Sequence, residues 1–388
     1  MTQAMSRVAL YAAVGPELTH YEVDVAAGTL TRRGDVQLPA NVQYAWPHAS
    51  GHLLYAGCSN AATGRGIVGS DHSLIALAID PASGALSPRG DPVALPTRPI
   101  HLTTDIPSEH VLVALTNPSR VRVYRTNPDG SLGGQVHQAD EIAAGSYVHQ
   151  VRIRPNNRTA ILTDRGLGAA GGSNPPGCLR LFDYAGGTLT RGVVVAPSGD
   201  HGFGPRHLDF HPTQPWAYVV LEPQNRIAQF AFDRTTPHLV CERSTLTGPG
   251  EGGMRQAAST VHVHPNGQTV YVANRASSTT SMRSEGVAVG GENTIAVFAV
   301  DPRRGEPVRV QSIDAAGIHC RTFQIDPSGR LLVAAHAVGA PASDGAGGPR
   351  HGPGCLSLFR IADNGTLSFL RKYDVEVGAR QLFWMGMI

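Results

Sequence analysis

The chain has 388 residues, and its 32 lysines and arginines nearly balance its 30 aspartates and glutamates. A nearly neutral chain has no broad basic surface, so the composition excludes nucleic acid as a main partner. Hydrophobic residues make up 41% of the chain, enough for a buried core, while 45 glycines and 28 prolines indicate many turns. The composition therefore favours an all-β protein.

The N-terminal segment predicts a strand rather than a targeting or membrane segment. Residues 1–15 contain neither a basic region nor a small-residue cleavage site, so we expect no signal peptide. The apolar stretch Val8–Val14 is far shorter than the ~18–20 residues that span a bilayer, and no apolar run of that length follows. The five cysteines lie far apart without a CxxC pair, which argues against a disulfide framework. We expect a cytoplasmic protein with no membrane contact.

A four-strand unit repeats along the chain. A short apolar strand that ends in an Xaa-Pro turn occurs six times, 48 to 62 residues apart, at Pro47, Pro107, Pro155, Pro212, Pro265 and Pro327. A second apolar strand and an alternating third strand follow, and a turn then leads into a fourth. The closest copies of that turn begin at Gly28, Gly84, Gly130, Gly187 and Gly365, and looser copies begin at Pro237 and Gly305. Seven such turns predict one seven-bladed β-propeller domain over residues 1–388.

The two ends of the chain are predicted to close the propeller. Val8–Val14 has the pattern of a second strand, and only six complete inner strands precede a last candidate at residues 381–384. We expect this C-terminal segment to be the inner strand of the blade whose three outer strands are N-terminal. Closure of this kind removes a sheet edge that would otherwise stay unpaired.

The long connections are predicted to lie on one face of the propeller. Each falls between the second and third strands of a blade, and the four segments are Ser59–His72, Arg165–Gly177, Ala276–Glu292 and Ala337–Gly354. Long loops gathered on one face of a rigid scaffold are typical of binding sites. The alternative is that these loops are tolerated insertions without a function.

Polar side chains are concentrated where the inner strands begin and the second strands end. These positions should ring the mouth of the central channel. At the starts of inner strands they are His101, His149, Arg206, His207, Arg255, His319 and Arg321. At the ends of second strands they are Asn117, Asp164, Glu222, Asn274, Arg275 and His336. A glutamate among several arginines and histidines indicates a site for an anionic ligand with a proton-transfer group.

Four segments carry a family resemblance that runs over nearly the whole chain. The most specific is the Gly-Pro-Arg-His block at 204–207 with His-Pro at 211–212, followed by Tyr218 and Glu222. The others lie at 148–159, 262–275 and 320–329. In these segments the chain resembles the 6-phosphogluconolactonase family of seven-bladed propeller lactonases, whose relatives include the 3-carboxymuconate lactonising enzyme.

The resemblance implies a catalytic core and a substrate class. The implied core consists of His149, Arg206, Glu222 and Arg275. Around it we expect substrate contacts from His207, Arg321, Arg255, Asp164, His101, His319 and His336. The surplus of cationic groups should repel a divalent ion, so we expect no metal, and we expect no cofactor. The predicted protein is a monomer or small homo-oligomer that hydrolyses a small anionic lactone of the sugar-acid or muconate type.

Opening a lactone with water requires a base, positive groups for the oxyanion and a proton for the leaving alkoxide. Glu222 is the predicted base. Arg206 and Arg275 are predicted to bind the carbonyl oxygen or a substrate carboxylate, and His149 is predicted to supply the proton. The same groups suit the addition of a carboxylate to an alkene. A muconate-type cycloisomerase is therefore an alternative function.

Two further alternatives concern the protein as a whole and its individual residues. A non-catalytic propeller would bind a partner through an exposed apolar or aromatic face, but the insertions contain almost no aromatic residues.

Glu222 and Arg275 could simply form a salt bridge between blades. His262 and His264 alternate along a strand without a third ligand at similar spacing, so we expect no metal there. His211 and His264 precede turns on the opposite face and are predicted to be structural.

Overall fold

The computed structural model describes residues 8–61, 67–166, 176–197, 202–233, 236–248, 256–276, 291–338, 341–343, 349–351 and 353–388. These residues form strands and turns, and none of them belongs to a helix that could cross a membrane. The chain opens with β1 (Val8–Val14), β2 (Glu17–Asp24) and β3 (Thr29–Gln37). Blade 1 then contains β4 (Asn41–Pro47), β5 (Leu53–Ser59), β6 (His72–Ile79), β7 (Leu86–Pro88) and β8 (Val93–Ala94).

Five further blades follow in chain order. Blade 2 contains β9 (Pro99–Thr104), β10 (His110–Leu115), β11 (Arg120–Thr126) and β12 (Leu132–Gln135). Blade 3 contains β13 (Val148–Ile153), β14 (Thr159–Asp164), β15 (Cys178–Ala185) and β16 (Thr188–Val195). Blade 4 contains β17 (Pro205–Phe210), β18 (Trp216–Leu221), β19 (Arg226–Ala231) and β20 (His238–Ser244). Blade 5 contains β21 (Gln256–Val263), β22 (Thr269–Ala276), β23 (Thr294–Val300) and β24 (Pro307–Asp314).

The last strands complete blade 6 and close the ring in blade 7. Blade 6 contains β25 (Ile318–Ile325), β26 (Leu331–Val338), a hairpin of β27 (Pro341–Ser343) and β28 (Pro349–His351), then β29 (Gly354–Ile361) and β30 (Leu367–Val375). The final strand, β31 (Leu382–Met387), pairs antiparallel with β1, so that Leu10 faces Met387 and Ala13 faces Trp384. Blade 7 thus has the strand order β3-β2-β1-β31. The predicted seven-bladed propeller and its closure by both chain ends are confirmed.

A repeated hydrogen bond joins neighbouring blades on the face of the turns. A buried tyrosine of one second strand donates its hydroxyl to the carbonyl of the turn glycine in the next blade, over 2.7–3.1 Å. The pairs are Tyr11 with Gly84, Tyr55 with Gly130, Tyr218 with Gly305 and Tyr271 with Gly365. These glycines have φ between 73° and 83°, a left-handed conformation that favours glycine. His211 and His264 bond the carbonyls of Gly267 and Gly329 on this face, as their predicted structural role requires.

The inner strands enclose the central channel. β31, β4, β9, β13, β17, β21 and β25 contact one another in this order, and β25 contacts β31 to complete the ring. Each inner strand begins beside the end of the second strand of its blade, as the pairing of Val148 with Asp164 and of Pro205 with Leu221 shows. The second strands from which the four predicted insertions leave, β5, β14, β22 and β26, all end at this face. Most of the insertion residues, including 62–66, 167–175, 277–290 and 344–348, lie outside the described residues. The fold therefore places the predicted mouth residues beside the strand ends at which those insertions begin.

Candidate active site

Glu222 is the anion at the centre of a cluster of arginines. It directly follows β18, and its side chain is almost fully buried. Its Oε1 accepts a hydrogen bond from Nη2 of Arg275 in blade 5 and lies 3.7 Å from Nε of Arg206 in its own blade. Its Oε2 accepts a hydrogen bond from Nε of Arg165 in blade 3. We call Arg165, Arg206, Glu222 and Arg275 the Glu222 cluster.

The Glu222 cluster keeps its carboxylate ionised. Burial by itself raises the pKa of Glu222, but Arg275, Arg165 and Arg206 together outweigh burial and lower that pKa well below its usual range. Both carboxylate oxygens also accept hydrogen bonds from guanidinium groups. The salt bridge between blades that the sequence left as an alternative is therefore present, and it involves Arg165 of blade 3 as well as Arg275 of blade 5.

His149 lies near the start of β13, beside the Glu222 cluster. The residue is 7% exposed, and its Nδ1 is buried without a hydrogen-bond partner in the described part of the chain. Burial, followed by the charge of Arg206, lowers the pKa of His149 well below its usual value, although Glu222 acts in the opposite direction. His149 is therefore an uncharged imidazole at neutral pH.

Two more histidines line the channel further along the inner strands. The ring of His207 lies 5.1 Å from that of His149, and its Nδ1 is 3.0 Å from Oγ1 of Thr260. His101 is fully buried, with its ring 5.8 Å from His207 and 4.0 Å from Tyr44. Burial lowers the pKa of both histidines well below the usual value. These neutral rings form the polar wall of the channel below the Glu222 cluster.

A second group of side chains lies on the other blades around the mouth. The guanidinium carbon of Arg321 is 3.7 Å from the ring centre of Phe383, and its Nε donates to the Phe383 carbonyl over 3.0 Å. The guanidinium carbon of Arg98 is 5.9 Å from the same ring, and its Nε donates to Oε1 of Gln43 over 2.8 Å. We call Gln43, Arg98, Arg321 and Phe383 the Phe383 cluster.

Not every predicted mouth residue joins these clusters. Asp164 accepts hydrogen bonds from the backbone of Ser146 and Tyr147 and from Arg180, so its carboxylate is used within blade 3. His336 is fully buried in blade 6, where its Nε2 is 2.8 Å from Oγ of Ser357. The geometry thus gives neither residue a position for substrate contact.

Of the two remaining predicted mouth residues, the structure describes His319 but not Arg255. Burial, followed by the nearby charges of Arg275 and Arg321, lowers the pKa of His319 to about 3. It therefore borders both clusters, as expected for a mouth residue. Arg255 lies outside the described residues.

The sequence pattern missed Arg165 because of a one-residue register error. Asp164 pairs with Val148 in blade 3 just as Leu221 pairs with Pro205 in blade 4, so Arg165 occupies the position of Glu222. Aligning the ends of the second strands would have identified it, since a shift of one residue along a strand changes the face on which a side chain lies. Arg98 was missed because it precedes its inner strand by one residue.

Comparison with known proteins identifies the family. The family model "Lactonase, 7-bladed beta-propeller" matches residues 8–340. The chain belongs to this lactonase family. Over 348 residues it is 26% identical to the 6-phosphogluconolactonase of Bacillus subtilis (strain 168), covering 87% of this chain and 89% of that protein. Over 313 residues it is 28% identical to the 6-phosphogluconolactonase of Cronobacter sakazakii, covering 79% and 81% of the two chains.

Solved structures support the lactonase fold. The periplasmic gluconolactonase of Pseudomonas aeruginosa superposes with a TM-score of 0.73 at 21% identity, over 99% of both chains. A putative 6-phosphogluconolactonase from Bacteroides uniformis gives a TM-score of 0.72 at 20% identity, over 99% of this chain and all of that one. The predicted family and enzyme class, a propeller lactonase rather than a non-catalytic propeller, are confirmed.

Proposed function

We propose that this lactonase hydrolyses a small lactone of a sugar acid at the Glu222 cluster, with His149 as the base. The observation that carries the proposal is an uncharged His149 whose Nδ1 has no partner among the described residues, beside arginines that a fixed carboxylate orients. The relatives named 6-phosphogluconolactonase and gluconolactonase support the substrate class.

This division of roles differs from the one that the sequence predicted. Glu222 was the predicted base, but its Oε1 accepts a hydrogen bond from Arg275 and lies 3.7 Å from Arg206, and its Oε2 accepts a hydrogen bond from Arg165. A carboxylate held in this way is a poor acceptor for the proton of water. We assign Glu222 the role of orienting Arg206 and Arg275, and we assign His149 the proton transfers.

The reaction then proceeds in two steps whose protons balance. His149 accepts a proton from water while the water oxygen bonds to the lactone carbonyl carbon, and the carbonyl oxygen becomes an oxyanion. Arg275 stabilises this oxyanion through Nη1, which is buried without a hydrogen-bond partner in the described residues. The ring C–O bond then breaks, and the protonated His149 returns its proton to the leaving alkoxide. The product is a hydroxy acid.

The donor groups of this site favour hydrolysis without a metal. A divalent cation at Glu222 would face the guanidinium groups of Arg165, Arg206 and Arg275 at short range. Among the described residues, one group of possible metal ligands lies elsewhere, at the turn between the first two strands of blade 2. There Asp105 is already bonded to His110 and Tyr184. We therefore propose a metal-independent reaction.

A lactone panel tests the proposed function. Purified protein would be assayed with a pH indicator on gluconolactone, 6-phosphogluconolactone and muconate-derived lactones, before and after exhaustive dialysis against EDTA. We expect hydrolysis of at least one sugar-acid lactone well above its spontaneous rate, with no change after dialysis. Spontaneous rates on every lactone would overturn the proposal. Turnover confined to muconate-derived substrates would favour the cycloisomerase instead, and activity lost on chelation and restored by one metal would refute metal independence.

A further inference from the structure

We infer that the Phe383 cluster is a second anion subsite, which binds a charged group of the substrate remote from the lactone carbonyl. The inference rests on the proposed function, because it assumes that the reacting carbonyl lies at the Glu222 cluster. It adds a specificity determinant, namely that Arg321, supported by Arg98, selects lactones with a terminal phosphate or carboxylate.

The two arginines of this cluster are held in fixed orientations. Arg321 stacks on Phe383 and uses its Nε to bond the Phe383 carbonyl, so the two terminal nitrogens of its guanidinium fork remain for a ligand. Arg98 is held through its Nε by Gln43, whose own Nε2 donates to the carbonyl of Asn41 over 3.0 Å. A planar fork with a fixed orientation matches the two oxygens of a carboxylate or phosphate.

Charge in this part of the mouth favours an anion. Arg321 forms no ion pair within the described part of the chain, and its two contacts there, a carbonyl and an aromatic ring, carry no negative charge. Burial and the neighbouring charges of Arg275 and Arg98 outweigh the opposite effect of Glu222 and lower the pKa of Arg321 to about 9, which reflects the cost of holding these cations together. A bound phosphate or carboxylate would reverse that cost, and it would do so most strongly where water is excluded.

The two clusters lie on different blades, so the lactone carbonyl and the remote charged group of the substrate would bind at different places. The Glu222 cluster is built from blades 3, 4 and 5, whereas the Phe383 cluster is built from blades 6, 7, 1 and 2. They are therefore on different sides of one channel mouth. A substrate whose carbonyl lies at Arg275 and His149 would extend its far end over Arg321. The product carboxylate, formed at the first cluster, is thus distinct from the group that the second one binds.

Substrate discrimination by Arg321→Gln tests this inference. The kcat/KM values for 6-phosphogluconolactone, for a lactone with a terminal carboxylate and for neutral gluconolactone would be measured side by side. We expect the ratio of charged to neutral substrate to fall about 10- to 100-fold in Arg321→Gln, mainly through KM, because a charge-assisted contact is lost. Arg321→Lys keeps the charge without the fork and should give an intermediate ratio. The two charged lactones show whether phosphate or carboxylate is preferred.

Matched controls distinguish a subsite from a general loss of folding. Arg154 also stacks on an aromatic ring, with its guanidinium carbon 4.4 Å from the centre of Phe232, but it lies beyond the far end of β13. Arg154→Gln should leave the ratio unchanged. If Arg321→Gln does not fold, raising the salt concentration with the wild-type enzyme should lower kcat/KM for the charged lactone only.

The outcomes separate this inference from the proposed function. Equal loss on charged and neutral lactones in Arg321→Gln, or equal salt dependence for both, would overturn the subsite while leaving lactone hydrolysis intact. Spontaneous rates on every lactone with the wild-type enzyme would instead refute the proposed function.

Discussion

The Glu222 cluster and the Phe383 cluster place arginines at one channel mouth in different ways. In the first, three guanidinium groups surround one buried carboxylate, and both oxygens of Glu222 are engaged. In the second, Arg321 is held by a carbonyl and an aromatic ring, without an ion pair in the described residues. An internal anion thus creates a rigid framework for chemistry, whereas its absence leaves the arginines able to bind the charge of a ligand.

The largest expected effect comes from removing the base beside the Glu222 cluster. His149→Gln should lower kcat by about 10²–10⁴-fold, because the proton of water loses its acceptor. The melting temperature should change little, since Nδ1 of His149 makes no hydrogen bond to the described residues. Steady-state kinetics and thermal melting measure both quantities.

His211 provides the matched control for this variant. It is also a buried histidine, but it bonds the Gly267 carbonyl on the opposite face. His211→Gln should lower the melting temperature and keep kcat. A His149→Gln variant with wild-type turnover would refute the assignment of the base.

The next largest effect concerns the anion that defines the Glu222 cluster. Glu222→Gln leaves Arg165, Arg206 and Arg275 without their counter-charge, which should cost about 3–5 kcal/mol of unfolding free energy. Chemical denaturation would measure this loss. Glu242 lies on the outer strand of blade 4, where it pairs with Arg226 of the third strand, and it offers a control. Glu242→Gln should cost less than about 1 kcal/mol, because this ion pair is more exposed.

Glu222→Gln also separates the two possible roles of this residue. If Glu222 were the base, as the sequence pattern predicted, the variant would lose at least as much kcat as His149→Gln, whatever its loss of unfolding free energy. A loss of stability with a smaller loss of kcat than in His149→Gln supports the framework role. These two results cannot both hold.

The sequence predicted more of the turn face of the propeller than of its channel mouth. The turn face follows from local pattern: turn glycines such as Gly84 and Gly305 and the alternating strands identify the blades, and the structure adds the tyrosine hydrogen bonds. The mouth depends on distant partners. Phe383 lies 62 residues from Arg321, and only closure of the ring brings them together. Their contact leaves no signal in local sequence.

The smallest expected effect is a change in the pKa of His319, which lies at the mouth, that His336, which lies away from it, does not share. Burial and the arginines of both clusters lower the pKa of His319 to about 3, whereas burial lowers that of His336 to about 4. NMR titration should therefore find both histidines titrating well below the usual pKa of a histidine. Arg321→Gln should raise the pKa of His319, because one positive charge is removed, and should leave that of His336 unchanged. Equal shifts in both histidines would contradict the placement of Arg321.

These histidines also make stability depend on pH with a definite sign. Because their folded-state pKa values lie below the unfolded value of about 6.5, their contribution is complete above pH 6.5 and is lost as the pH falls toward 4. Each buried histidine should reduce the unfolding free energy by about 1.4 kcal/mol per pH unit in this window. His336→Asn should lower the slope by one proton in denaturation experiments between pH 6.5 and 4.

The orientation of a bound substrate would show whether the two clusters bind opposite ends of one molecule. A crystal structure of the His149→Gln variant with 6-phosphogluconolactone, or of the wild-type enzyme with the corresponding hydroxy acid, would locate both ends of the molecule. We expect the lactone carbonyl or product carboxylate against Arg275 in the Glu222 cluster and the phosphate on the guanidinium fork of Arg321. A phosphate at the Glu222 cluster, with the carbonyl carbon over Phe383, would contradict it.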